Sequence, residues 1–287
     1  MALLSDADDV SLRDELPLWS APFGLALLEA VVFRPRMAVL DLGSGTGFPA
    51  LELAERLGQA GRVVGVDPSA PGTKRSRDKA HAYEAANVVF VRSVAERLPL
   101  RTGMVDLVVS NNGFNNVADL GEALRECRRV CREGAQLVLT MNLAETMRLL
   151  YDELAGALVD CGLESSLAAM EVHIRKKRPP LAEVRHALEG AGFRIVAEKH
   201  ASFSLRFQGG AALLAHHLIR HGFLPAWREV PPEDRAPAVF ARLRQRLDVV
   251  AAARGELRLE VPFVCLDCRV ASSGSYSENP GKGPSLG

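Results

Sequence analysis

The stretch Val39-Leu40-Asp41-Leu42-Gly43-Ser44-Gly45-Thr46-Gly47 constrains the fold of this chain more than any other, because an apolar run of strand character empties into three glycines spaced two apart. Glycine supplies the positive φ that a tight strand-to-helix turn requires, and without a Cβ it lets a ligand lie against the backbone. A helix is predicted from about Phe48 through Leu57. A strand, a glycine turn and a helix in that order are the opening unit of an open, mostly parallel α/β sheet.

The spacing bears on what the turn holds. The dinucleotide fingerprint G-x-G-x-x-G receives a pyrophosphate on backbone amides and a helix N-terminus. Here the third glycine comes one residue early and a carboxylate, Asp41, stands at the strand end. An anion has little use for that carboxylate, whereas a ligand carrying an ammonium and a sulfonium does. The next strand, Arg62-Val63-Val64-Gly65-Val66, ends in Asp67, a bidentate acceptor suited to two ribose hydroxyls. Two acids around a glycine turn suit S-adenosylmethionine better than NAD.

Further segments follow in register. Val88-Val89-Phe90-Val91 reads as a third strand, followed by Ser93-Val94-Ala95-Glu96-Arg97-Leu98-Pro99-Leu100. Met104 to Ser110 is a fourth strand, Leu120 to Val130 a helix, and Arg132-Glu133-Gly134-Ala135 a turn into the strand Gln136 to Thr140. Over residues 36 to 141 the chain resembles the class I S-adenosylmethionine-dependent methyltransferases, small-molecule type, in particular the branch that includes quinone-biosynthesis C-methyltransferases. The resemblance implies a Rossmann-like α/β fold: a seven-stranded, mostly parallel sheet with its last strand antiparallel, helices on both faces and helical lids. It also implies a cofactor cleft lined by Asp41, Gly43, Ser44, Gly45, Gly47, Asp67, Pro68, Val94, Ala95 and Asn111, with Val94 standing where the family carries an acid for the adenine amino group. S-adenosyl-L-methionine is the implied methyl donor and S-adenosyl-L-homocysteine the product.

The rest of the chain is read around that frame. One domain is expected over residues 1–270. Its core comprises 36–141, 181–203 and 257–270, with helical insertions at 142–178 and 208–255, and 271–287 form a disordered tail rich in Ser, Gly and Pro. Met147, Leu150, Leu154 and Leu158 carry helical spacing in the first insertion, and two helical stretches flank Gly222-Phe223-Leu224-Pro225 in the second. Both insertions emerge near the carboxyl ends of strands, where ligands bind in open sheets. A leading helix runs from an N-cap at Ser20 through Val32, and either Trp19 or Phe23 closes the cofactor pocket or simply packs on the sheet.

The chain has 35 basic and 35 acidic residues, so no net field draws a polyanion, which weighs against a nucleic-acid substrate. Arg175-Lys176-Lys177-Arg178 reads as a solvated helix end before Pro179-Pro180. No apolar run reaches the roughly 18 residues of a membrane span, and the aspartate-rich N-terminus does not read as a secretory signal; a cytoplasmic protein without a membrane partner is expected. Cys265 and Cys268 lie three apart on a strand and so on opposite faces, and no second Cys-x-x-Cys exists to complete a zinc site; no metal is expected. Cys127 and Cys131, four apart, raise the idea of a thiol site for a soft species such as arsenite, but on a helix remote from the cleft.

Methyl transfer asks mainly that the acceptor be held in line with an activated methyl carbon. The loop Asn111-Asn112-Gly113-Phe114-Asn115-Asn116 follows the fourth strand, where the family lodges residues between cofactor and acceptor. Asparagine orients a polar acceptor without removing its proton, and Asn-Gly is also ordinary turn chemistry. Trp19, Asn112 and Asn115 are the candidate acceptor-binding residues; His173, His217 and Tyr151 are the candidate acid or base groups, with no catalytic residue singled out. The functional expectation is methyl transfer to oxygen or carbon of a small organic acceptor. The alternative is a nonenzymatic protein that binds S-adenosylmethionine or S-adenosylhomocysteine.

Overall fold

The structure, a computed structural model, describes residues 18–271. Of the tail expected over 271–287, all but Ala271 lies outside them. Among the described residues, β1 (Ala38–Leu42), β2 (Arg62–Asp67), β3 (Val88–Arg92), β4 (Val105–Asn111), β5 (Cys131–Asn142), β6 (Phe193–Phe207) and β7 (Leu257–Val270) form a seven-stranded sheet in the order β3-β2-β1-β4-β5-β7-β6. Pairing is parallel from β3 to β5, and β7 runs antiparallel to both β5 and β6. From β1 the chain winds outward to β2 and β3, then returns to place β4 on the other side. A crevice therefore opens beyond the carboxyl ends of β1 and β4, the topological switch point of an open sheet.

Strand periodicity assigns the two faces. In β1, Val39 packs with Leu27 and Leu28 of α1 (Ser20–Ala30) and Leu53 of α2 (Ala50–Leu57). Leu40 and Leu42 point the other way, toward Leu124 of α4 (Leu120–Val130) and Leu188 of α7 (Leu181–Gly190). The same alternation divides the cysteine pair of β7, with Cys265 on the α1 side and Cys268 on the α4 side. Between β2 and β3 lies α3 (Ala70–Ala82), capped by the Ser69 side chain, which accepts from Gly72 N.

The insertions carry a core of their own. The first holds α5 (Arg148–Asp160) and α6 (Ser166–Lys177). Where two helical stretches were expected in the second, the structure has four: α8 (Gly210–Ala215), α9 (His217–Gly222), α10 (Leu224–Arg228) and α11 (Ala236–Arg254). The breaks fall where backbone chemistry puts them, since α10 and α11 each begin with a proline in the first turn. Leu150, Leu154 and Leu158 of α5 meet Leu243 and Leu247 of α11 over Leu257, Leu259 and Val261, the β7 residues that share one face.

Several boundaries differ from expectation, among them the start of β5 at Cys131, where Arg132 to Ala135 were expected as a turn but fall within the strand. Helix α1 begins at Ser20 without a side-chain cap, because Trp19 already has helical backbone angles (φ −86°, ψ −47°). It stops at Ala30, where the Gln136 side chain donates to the Ala30 carbonyl and accepts from Val32 N, occupying groups a further turn would need. Helix α2 begins at Ala50 rather than Phe48, and its first amide donates to Asp41 Oδ2 at 3.0 Å. Strand β6 runs to Phe207 instead of Ser202 because β7 offers it a partner along its whole length, out to the pair Phe207 and Leu257.

Candidate active site

The glycine loop bends as its composition demands: Gly43, Gly45 and Gly47 all have positive φ. Gly45 is the informative one. A Cβ built there would meet nothing within 4 Å, so its missing side chain leaves space in the crevice rather than relieving a packing clash. Its amide donates to Asp67 Oδ2 at 2.9 Å, while Ser69 N donates to Oδ1 at 2.8 Å. Each Asp67 oxygen keeps a second acceptor position. Burial pushes the Asp67 carboxyl above the usual range, against the pull of the Ser69 and Gly45 amides. Ser44 is buried, its amide on the Val66 carbonyl, and the Pro68 carbonyl accepts from Arg92. Ser93 N reaches the Asp67 carbonyl, which brings the segment carrying Val94 and Ala95 beside the ribose position; Val94 is exposed and Ala95 partly covered.

Asp41 is corrected. It was expected to stand open to a ligand ammonium, yet it is wholly buried and fastens the N-terminus of α2 with one oxygen. Its other oxygen has no hydrogen-bond partner. Burial raises its pKa to about 8, with the nearby Asp67 charge a smaller cause and the Ala50 amide opposing. It supports the loop from beneath.

The loop after β4 is seated on the glycine turn: a Cβ on Gly113 would lie 2.6 Å from the Leu42 carbonyl oxygen and 3.4 Å from Gly43 Cα. Its asparagines are largely committed to the backbone. Asn111 donates to the Ser20 carbonyl and accepts from the Thr140 hydroxyl, tying β4 to the start of α1. Asn112, with φ +57°, accepts from Asn142 N. Asn115 donates to the carbonyls of Lys177 and Asn142, at 3.0 and 3.4 Å, while its buried Oδ1 has no partner. Turn chemistry thus explains the backbone of Asn112, whereas Asn115 is oriented by carbonyls from distant segments.

Beside this loop a pocket, open at its mouth, brings together Trp19, Asn112, Asn115, Tyr151 and His173 with Phe223 from the second insertion. Five of the residues read from sequence as acceptor-binding or acid–base candidates converge here. His217 does not line it; its ring lies 4.5 Å from that of His221 in α9. Phe23, fully buried against Phe203 and Phe263, is a core residue, while Trp19 both packs on Phe23 and faces the pocket. The indole Nε1 of Trp227, a donor only, donates to the Tyr151 hydroxyl at 3.0 Å, and that hydroxyl shares a hydrogen bond with His173 Nε2, 3.4 Å away. Burial and then the Arg178 and Lys177 charges lower the His173 pKa to about 4, which keeps the ring neutral.

The basic run also departs from expectation. Arg175 and Lys176 are exposed, and Arg175 pairs with Glu183. Arg178, however, is only 3% exposed, its guanidinium carbon 5.2 Å from the Tyr151 ring centre and its side chain in the pocket wall. The reason is local: Arg178 ends α6 directly before Pro179-Pro180, and the residue before a proline is driven out of helical backbone, here to φ −143° and ψ 78°. That turn carries its side chain inward while Arg175 and Lys176 stay in water. The two prolines were the sequence signal that could have found it.

Strand order and glycine loop together resemble those of the class I S-adenosylmethionine-dependent methyltransferase domains. Residues 40–139 match the family model described as Methyltransferase domain. The chain is 40% identical over 101 residues to the demethylmenaquinone methyltransferase of Lactiplantibacillus plantarum, covering 35% of this chain and 43% of that protein. It is 29% identical over 174 residues to the arsenite methyltransferase of Halobacterium salinarum, covering 58% of this chain and 43% of that one. The chain thus spans less than half the length of these curated relatives. Among solved structures, the YcgJ protein from Bacillus subtilis matches with a TM-score of 0.56 at 15% identity, over 88% of this chain and 99% of that one, a likeness of fold.

Proposed function

We propose that this chain transfers the methyl group of S-adenosylmethionine to oxygen or carbon of a small organic acceptor, by in-line displacement. The observation that carries the reading is the seating of the Asn111–Asn116 loop on the glycine turn at Gly113, while Asn112, Asn115 and Asn116 of the same loop line the aromatic pocket. When bound, the cofactor supplies an already activated methyl carbon. Asp67, with two acceptor positions left and Ser93 beside it, suits the ribose hydroxyls; the open face of Gly45 suits the chain that bears the sulfur. Trp19 and Phe223, in edge contact at 4.9 Å between ring centres, form an apolar wall that keeps water from the acceptor, and Asn115 Oδ1 orients a donor group on it.

A planar acceptor of the quinol kind suits this wall, in keeping with the name of the Lactiplantibacillus relative. Arsenite chemistry, named for the Halobacterium relative, has less support. Soft species seek thiolates, but Cys127, Cys131, Cys265 and Cys268 are buried, burial lifts their pKa values, and the pocket contains no cysteine. We place the protein in the cytoplasm, with no nucleic-acid partner, on its charge balance; among the described residues no helix is long and apolar enough to cross a membrane.

The test is incubation with methyl-labelled S-adenosylmethionine and reduced naphthoquinone or phenolic acceptors, followed by extraction of the product. Label in the extract that disappears in Gly45→Val is expected. Tight binding of S-adenosylhomocysteine without label transfer to any acceptor would instead make the chain a nonenzymatic cofactor-binding protein.

A further inference from the structure

Arg178 is the feature the proposed chemistry leaves unexplained. Its Nε and Nη1 are buried with no hydrogen-bond partner, and among the described residues no carboxylate lines the pocket around it. A guanidinium withdrawn from water is unfavourable unless an anion and hydrogen-bond acceptors replace its hydration. The Tyr151 ring face offers partial compensation through its quadrupole but no acceptor for the N–H groups. Among the described residues, the other full charge in the lining is of the same sign, that of Lys177. His173 is neutral and hydrogen-bonded toward Tyr151, so it adds no negative charge. Opposite, Asn115 Oδ1 is a buried acceptor awaiting a donor.

We propose that this pocket is built for an acceptor bearing an oxyanion, a carboxylate or a phosphate, whose oxygens take the N–H groups of Arg178 while an adjacent hydroxyl or amide donates to Asn115. Arg178 is then a specificity-determining residue for the acceptor. This rests on the reading of the pocket as the acceptor site, and it narrows the acceptor class from any planar small molecule to an acidic one. Guanidinium presents fixed, planar donors that suit oxyanions, and it keeps its charge under all physiological conditions.

The experiment uses the full chain, saturated or not with S-adenosylhomocysteine. Benzoate, phenyl phosphate and their neutral counterpart benzamide are titrated by calorimetry and by thermal denaturation, against wild type, Arg178→Met and Arg178→Lys. Saturable binding of benzoate or phenyl phosphate, at least tenfold tighter than benzamide, is expected; the tighter of the two acids identifies the anion. Arg178→Met should abolish that preference, Arg178→Lys should retain part of it, and both should bind S-adenosylhomocysteine as wild type does. Without ligand, Arg178→Met should melt at or above the wild-type temperature, because an unpaired buried charge has been removed. Equal binding of benzamide and benzoate, an unchanged preference in Arg178→Met, or failure of both acids to bind would overturn the proposal. Failure of S-adenosylhomocysteine to bind, with the acid preference intact, would overturn the cofactor assignment and leave the oxyanion site standing.

Discussion

At the two strand-end carboxylates, hydrogen-bond capacity separates roles that the chain's letters leave alike. Asp67 uses one lone pair of each oxygen on a backbone amide and keeps two for a ligand, so Asp67→Ala should weaken S-adenosylhomocysteine binding by about 1.5–3 kcal/mol. An unchanged dissociation constant would remove it from the site. Asp41 is buried with one oxygen unpartnered, and its folded pKa of about 8 stands far above that of an unfolded aspartate, about 3.9. The native state therefore holds a proton that the unfolded state has released. Its stabilising effect is complete below about pH 4 and is lost as pH rises through 8. Stability without ligand should fall between pH 5 and 8, and Asp41→Asn, which keeps a neutral acceptor, should flatten that decline. A wild-type curve rising over the window, or an unaltered slope in the variant, would contradict the assignment. Gly45→Val should abolish cofactor binding yet melt within a few degrees of wild type, since the new side chain enters open space but strains a positive φ.

Among the elements, the lids bear most of the novelty. Tyr151 of α5 links Trp227 of α10 to His173 of α6, so three insertion helices meet at one hydroxyl. Tyr151→Phe leaves the buried Trp227 N–H without an acceptor and should destabilise the fold by about 1–3 kcal/mol in denaturant titration. A change within error would mean the N–H finds another partner. Helix α4, helix α7 and strand β7 were legible from sequence at their observed limits, because the two helices carry a clear apolar period and β7 a long apolar stretch of strand character. The four-way division of the second insertion was not legible, since α8, α9 and α10 are of five or six residues each and their limits follow from tertiary packing. The end of α1 was hidden for a related reason: Gln136, which stops it, lies 104 residues away from Val32. Arg178 was read with its charged neighbours because a charge run by itself does not say which member turns inward; the prolines that follow it do.

In the whole molecule, one sheet serves two tasks. The parallel part, from β3 to β5, builds a crevice that local motifs announce, and residues such as Gly45 and Asp67 were assigned from them. The antiparallel β6 and β7 extend past the sheet edge and carry the lids, whose apolar core is continuous with Phe263 and Val261. The acceptor pocket lies where the two parts meet, so its full membership is a property of the assembled chain. Its charge follows the same logic. An oxyanion on Arg178 would relieve one of the charges that, after burial, hold His173 at a pKa of about 4, bringing a neutral ring closer to the range in which it removes a proton. The account stands first on the cofactor. Calorimetric titration of the full chain with S-adenosylhomocysteine, with NAD and Gly45→Val as controls, tests that claim most directly. Saturable binding at one site per chain, absent with NAD and absent in the variant, is the predicted result; binding of NAD alone, or equal affinity in Gly45→Val, would contradict it.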